Sequence, residues 1–205
     1  MLFNSTRKYM TQSGFTITEM AIAIVLIGII STAIFTFANN QLDQYFRLNE
    51  DTQNFSEITT SSQRIAKVLR GLTDIINAND NELEVYAYFA PRDTVVSKIK
   101  YYKNPEGSVL YADVTPMTSN PPNGTPITAE KKTFTIMPKL YSDLSSSLFT
   151  YLDSTNLVIP TPIANQHTIK GIKINIAVPS KNPGTSTGNI AMSLQVSLRN
   201  RKTNL

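Results

Sequence analysis

The 205-residue chain has no cysteine and a single histidine, and both shortages close off chemistry. Without cysteine there is no disulfide to staple a domain outside the cytoplasm and no thiolate site for zinc, so stability has to come from core burial. A catalytic triad would have to be built on His167, which precedes a strand pattern in a polar stretch and reads as a plain loop residue. Gly184 and Gly188 lie between strand patterns. A phosphate-cradling loop needs the turn from strand into helix instead. Asp74, Asp80, Glu82 and Glu84 match no spaced calcium loop and read as solvated carboxylates. No catalytic set, cofactor or metal is expected, and the chain reads as a non-enzyme. The excess of positive charge is also small, 19 Lys and Arg against 15 Asp and Glu, too weak a balance to imply nucleic acid. The terminal cations Arg199, Arg201 and Lys202 lack neighbouring aromatics and read as an ordinary polar end.

Charge is scarcest between Phe15 and Ala38, where Glu19 is the only ionisable side chain. The run meets the roughly 20 residues that a helix needs to cross a bilayer core of about 30 Å. An ionised carboxylate there costs roughly 2.5–3.5 kcal/mol on insertion scales, so it calls for a partner. No Lys or Arg lies between Phe15 and Gln44 to serve. Cleavage between Gly14 and Phe15 would supply one, because the new α-amino group of Phe15 stands about one helical turn before Glu19. Within one chain the pair shares a helix N-terminus, where the dipole already favours the acid; between staggered chains it becomes an assembly contact. Arg7 and Lys8, with no acid among residues 1–14, place the start of the chain on the cytoplasmic side by the positive-inside rule.

Arg7-Lys8, then Gly14-Phe15-Thr16-Ile17-Thr18-Glu19, then an unbroken apolar run resembles the prepilin signal of type IV pilins and type II secretion pseudopilins. The resemblance implies that prepilin peptidase cuts after Gly14 and N-methylates Phe15. It also makes Glu19 the fifth-position acid of the mature chain, used in assembly. Glycine suits a protease that must approach the backbone closely. Thr16 and Thr18 depart mildly from the commoner pattern. The proline of major pilins is absent, Thr36 standing in its place, while Gly28 is retained. The missing proline favours a minor pilin or pseudopilin, and the missing cysteines exclude the disulfide-closed C-terminal loop of many pilins. An ordinary signal anchor is one alternative. The other is a secretory signal peptide cut after Ala38, but such signals carry a shorter apolar region of roughly 7–15 residues.

From Asn39 the helical period persists while the composition changes. Leu42, Tyr45, Phe46, Leu48, Phe55, Ile58, Ile65, Val68, Leu69, Leu72, Ile75 and Ile76 recur mostly at three, four or seven residues, with charges largely between them. A helix from Phe15 to about Arg70 would be roughly 80 Å long, its upper half packing on a sheet and its lower half on neighbours. Gly71 can end it, and the segment from Asn77 to Asn81 is a clear stop.

The remainder alternates as strands over residues 82–89, 95–103, 108–114, 133–137, 148–152, 171–178 and 189–199. Asn104 to Gly107 makes a turn. The order of these strand patterns over most of residues 95–200 also resembles the minor pseudopilins that carry a sheet after the long helix. Two segments, Thr115–Ala129 with four prolines and Pro179–Gly188, read as exposed loops.

The expected fold is α+β and pilin-like: a long N-terminal helix, membrane-spanning then amphipathic, packed on a C-terminal antiparallel sheet domain. The parts are a leader at 1–14, a transmembrane and assembly half at 15–38, an amphipathic half at 39–76, and a sheet domain at 77–205. The implied function is a structural subunit, a minor pilin or pseudopilin of a type IV pilus or type II secretion filament. A pilus-tip or membrane-anchored adhesin or DNA-binding module is the second reading. Its partners would be other pilin subunits, prepilin peptidase, the inner-membrane assembly platform and the lipid bilayer, with DNA or a host surface under the second reading. The location implied is the cytoplasmic membrane with the C-terminal domain outside, and then an extracellular or periplasmic filament.

Overall fold

The computed structural model describes residues 14–141, 146–180 and 188–198. Arg7, Lys8, the terminal cations and most of the second loop lie outside them. The fold is α+β, a long N-terminal helix with a C-terminal antiparallel sheet domain. Two compact units divide the chain, Met1–Phe46 and Arg47–Leu205.

Helix α1 runs over Ile17–Arg70. Every residue from Gly14 to Asn49 is exposed, and the described first unit buries no side chain of its own. This stretch of helix is long and apolar enough to cross a membrane. Two of its hydroxyls are satisfied within the helix: Thr32 donates to the Gly28 carbonyl at 2.8 Å and Thr36 to the Thr32 carbonyl at 2.9 Å. Such bonds one turn back let threonine sit where no water can reach it.

Burial begins at Ile58. Ile58, Ser61, Ser62, Ile65, Ala66, Val68 and Leu69 form the core-facing stripe of α1, at the spacing that keeps one side of a helix inward. The expected stripe from Leu42 through Phe55 is instead exposed, Phe55 by 53%. The helix ends at Arg70 with a tightened turn, the Gly71 and Leu72 amides donating to Val68 and Leu69.

The sheet domain holds two sheets. The first is a meander of β1 (Asp74–Ala78), β2 (Glu82–Ala87), β3 (Ser97–Lys103), β4 (Leu110–Pro116) and β5 (Lys132–Met137), all antiparallel. The second comprises β6 (Phe149–Leu152), β7 (Val158–Ile159), β8 (Gly171–Pro179) and β9 (Asn189–Ser197), in the order β7-β6-β8-β9. On β2, Leu83, Val85 and Ala87 face the core while Glu82, Glu84 and Tyr86 face outward, and β8 buries Ile172, Ile174, Ile176 and Val178 in the same way.

The amphipathic helix does not continue to residue 76, because Ile75 and Ile76 belong to β1. A bulge between Ile75 and Asn77 lets Ile75 and Ala78, three residues apart, both point inward. With Leu72 also buried, the strand copies a helical spacing. The two sheets are joined at the β1–β2 turn, which the sequence marked only as a stop. Tyr151, fully buried, donates its hydroxyl to the Asn79 carbonyl at 2.8 Å, and the Phe149 amide donates to the Asp80 carbonyl at 2.9 Å. The helix is tied to both sheets, Ser61 donating to the Ile136 carbonyl of β5 at 3.0 Å and Ser180, just after β8, donating to Asp51.

The proline-rich segment is more ordered than a loop. Thr115 and Pro116 end β4, a bridge pairs Met117 with Pro126, and the Thr118 amide donates to the Thr125 carbonyl, so the β4–β5 arms continue into a hairpin. Asn120 holds the hairpin down by accepting from the Val96 amide. The returning arm is clamped on Asp113, which is buried on the outer sheet face and accepts from Lys131 at 2.6 Å, Thr133 at 2.6 Å and Tyr102 at 3.3 Å. Burial alone would push the Asp113 carboxyl up, but the bonds from Lys131 and Thr133 hold it below the usual range. A carboxyl with a lowered folded value contributes stability above the unfolded range near pH 4, and loses it as pH falls through the folded value. Asp113→Asn is therefore expected to lower stability at pH 7 by about 1–3 kcal/mol. The difference from wild type should shrink toward pH 3 in urea unfolding of the detergent-solubilised chain; an equal difference at both pH values would contradict the clamp.

Candidate functional site

The first turn of α1 gathers the residues that the sequence singles out. Gly14, Phe15 and Thr16 precede the helix, which opens at Ile17, two residues later than the apolar run. Phe15 is 83% exposed, and among the described residues, its chain neighbours apart, nothing lies within 4 Å of where a side chain on Gly14 would stand. No described residue packs over the Gly14–Phe15 bond to hinder an approaching enzyme.

Thr16 and Glu19 close on each other. The Glu19 amide donates to the Thr16 hydroxyl at 3.2 Å, and the Thr16 amide donates to Glu19 Oε2 at 2.9 Å. The same Oε2 accepts from the Thr16 hydroxyl at 2.9 Å, and the hydroxyls of Thr16 and Thr18 lie 3.0 Å apart. The pattern Thr-x-x-Glu is a capping box, in which cap residue and third helical residue each satisfy the other's orphan amide. Thr16 was the member missed in the sequence, where it counted only as a mild departure from a family pattern. The threonine three residues ahead of a glutamate at a helix start was the available signal.

This arrangement changes the account of the acid. In the uncut chain Glu19 is not without partners, since two donors of Thr16 reach one of its oxygens. They are neutral donors, and the carboxylate also faces the positive end of the helix dipole. Cutting before Phe15 would place an ammonium on the residue that adjoins the Thr16 amide, so a cation would arrive beside a carboxylate already fixed in orientation.

The other candidate residues do not join this site. His167 is exposed in a short 3-10 turn, Gln166–Thr168, where its amide donates to Asn165. Glu82 and Glu84 are not simply solvated but pair with Lys100 and Lys98, each at 3.0 Å, on the outer face of the first sheet. Asp80 accepts from the Thr161 hydroxyl, and Asp74 caps the amide of Ile75. Among the described residues no group of three His, Asp or Glu side chains is placed to hold a metal ion.

Residues 9–35 match the family model of the prokaryotic N-terminal methylation motif. The motif supports a type IV pilin-like or pseudopilin-like precursor of the kind that prepilin peptidase processes and that assembles with other pilin subunits. Comparison of the whole chain with curated proteins gave no match.

The cap makes its own prediction. In chain prepared from peptidase-deficient cells, Thr16→Val should cost the first turn about 1 kcal/mol, or roughly fivefold faster hydrogen exchange at Glu19 in micelles, and Thr16→Ser should restore protection. Unchanged exchange in Thr16→Val would contradict the capping role.

Proposed function

We propose, from the methylation motif at residues 9–35, that this chain is a structural subunit of a type IV pilus or type II secretion-like filament, and specifically a minor pilin or pseudopilin. The single observation that carries the proposal is the motif itself, which is found in structural rather than enzymatic proteins. Prepilin peptidase cuts after Gly14 and methylates Phe15, and residues 15–38 then hold the chain in the inner membrane with its C-terminal domain outside. An assembly platform extracts the helix into the filament, which lies in the periplasm or outside the cell. The division into a leader, two helix halves and a sheet domain belongs to the same proposal, the second half ending at Arg70. The missing proline supports a minor subunit, since the helix of this chain has threonine where a major pilin carries its break.

Glu19 acts in this reading as the registration group. Held by Thr16 at the start of the apolar helix, it is presented toward the new amine of Phe15, its own or that of a neighbour. A carboxylate and an ammonium that meet in lipid each remove most of the other's burial cost. Arg7 and Lys8 keep the leader in the cytoplasm until the cut. The reading is tested by Glu19→Val, which should leave processing intact while the amount of this chain in sheared filaments falls about tenfold or more. Normal incorporation of Glu19→Val would overturn the role of the acid.

A further inference from the structure

The second unit has a groove of about 400 Å³ beside the last turns of α1, bordered by Arg64, Lys67, Gly71, Tyr88, Phe89 and Pro91. Its aromatic wall is built: Phe89 stacks on Phe134 with ring centres 5.1 Å apart, and the Arg64 guanidinium lies 5.2 Å over the Phe89 ring. Tyr88 is 38% exposed at the rim. Lys67 and Arg70 follow Arg64 at intervals of three, and all three cations are exposed. The outer face of the first sheet pairs its lysines with Glu82, Glu84 and Asp113, but among the described residues no carboxylate forms an ion pair with Arg64, Lys67 or Arg70. The helix dipole accounts for cations in the last turn. It does not account for Arg64, nor for an aromatic rim next to it.

A row of cations along an apolar groove is complementary to an amphipathic helix that carries acids beside apolar side chains. That chemistry is present in this chain's own α1. Asp43, Glu50 and Glu57 recur every seven residues along one side of the helix, and Leu42 and Phe46, at helical spacing beside them, stand exposed, 53% and 63%. We infer that the groove receives the acidic amphipathic helix of an adjoining subunit in the same filament, whose apolar side chains lie against Tyr88 and Phe89 while its carboxylates meet Arg64 and Lys67. The inference rests on the filament-subunit reading and adds the contact by which the sheet domain takes part in assembly.

The experiment places a photo-crosslinking benzoylphenylalanine at Tyr88 of the full chain, irradiates sheared filaments, and maps the adduct by mass spectrometry. The expected adduct falls on the helical segment just beyond the apolar span of another subunit with the methylation motif, a second copy included. It should drop about tenfold when Arg64→Glu and Lys67→Glu are added, and by less with Arg64→Gln and Lys67→Gln, protease resistance of the sheet domain being retained in both. Adducts on lipid, on a sheet domain or on a protein without the motif would overturn the inference, as would adducts indifferent to charge reversal or their absence from filaments that contain the chain. Filaments without this chain at all would overturn the filament reading, and the groove contact with it.

Discussion

A carboxylate at the start of an apolar helix has to be satisfied without water, and the N-terminal end of this protein is arranged to do that. Glu19 accepts from the Thr16 amide and hydroxyl, and returns the favour by letting its own amide donate to that hydroxyl. The turn is therefore closed before any second chain arrives. In the uncut chain the negative charge is oriented but not neutralised, because both of its donors are neutral groups. The only way to neutralise it inside the run, which holds no Lys or Arg, is a cation brought from elsewhere. A new N-terminus at Phe15 is the nearest source in the sequence.

The same principle runs up the helix. Thr32 and Thr36 bond back to carbonyls one turn earlier, so neither hydroxyl has to find a partner outside the helix. Beyond it, residues 42–55 present aromatic and aliphatic side chains that the chain itself does not cover. Only from Ile58 does α1 have a core, with Ser61 bonded to β5 and the β1–β2 turn pinned to β6 through Tyr151 and Phe149. The helix thus meets three surroundings along its length, and its side chains follow each change.

Much of this was legible in the residues. The apolar run, the isolated acid and the alternation of Ile172 to Val178 and of Met192 to Leu198 gave the α+β class, because periods of 3.6 and 2 are imposed by backbone geometry. The turn at Asn104 to Gly107 formed as its residues direct, Asn104 accepting from the Ser108 and Val109 amides and Gly107 taking a φ of 71°. Other features were hidden for physical reasons. The bulge in β1 gave Leu72, Ile75 and Ala78 a helical spacing, so a strand looked like more helix. The hairpin at Met117–Pro126 is held by backbone bonds and by Asn120, neither of which composition reveals. The two-residue β7 is too short to carry a period, and the split into two sheets depends on contacts between residues far apart in the chain. The Thr16–Glu19 cap could have been read, and would have shown that the acid already had a partner.

The central claim is that Glu19 is set in place for an amine made by cleavage. The most direct test is the intact mass and N-terminal sequence of the membrane-extracted protein from cells with and without prepilin peptidase. The account predicts a chain beginning at N-methylated Phe15 only when the peptidase is active, and a longer chain that retains Gly14 when it is not. A start at Met1 in both, or a peptidase-independent start at Asn39, would contradict it.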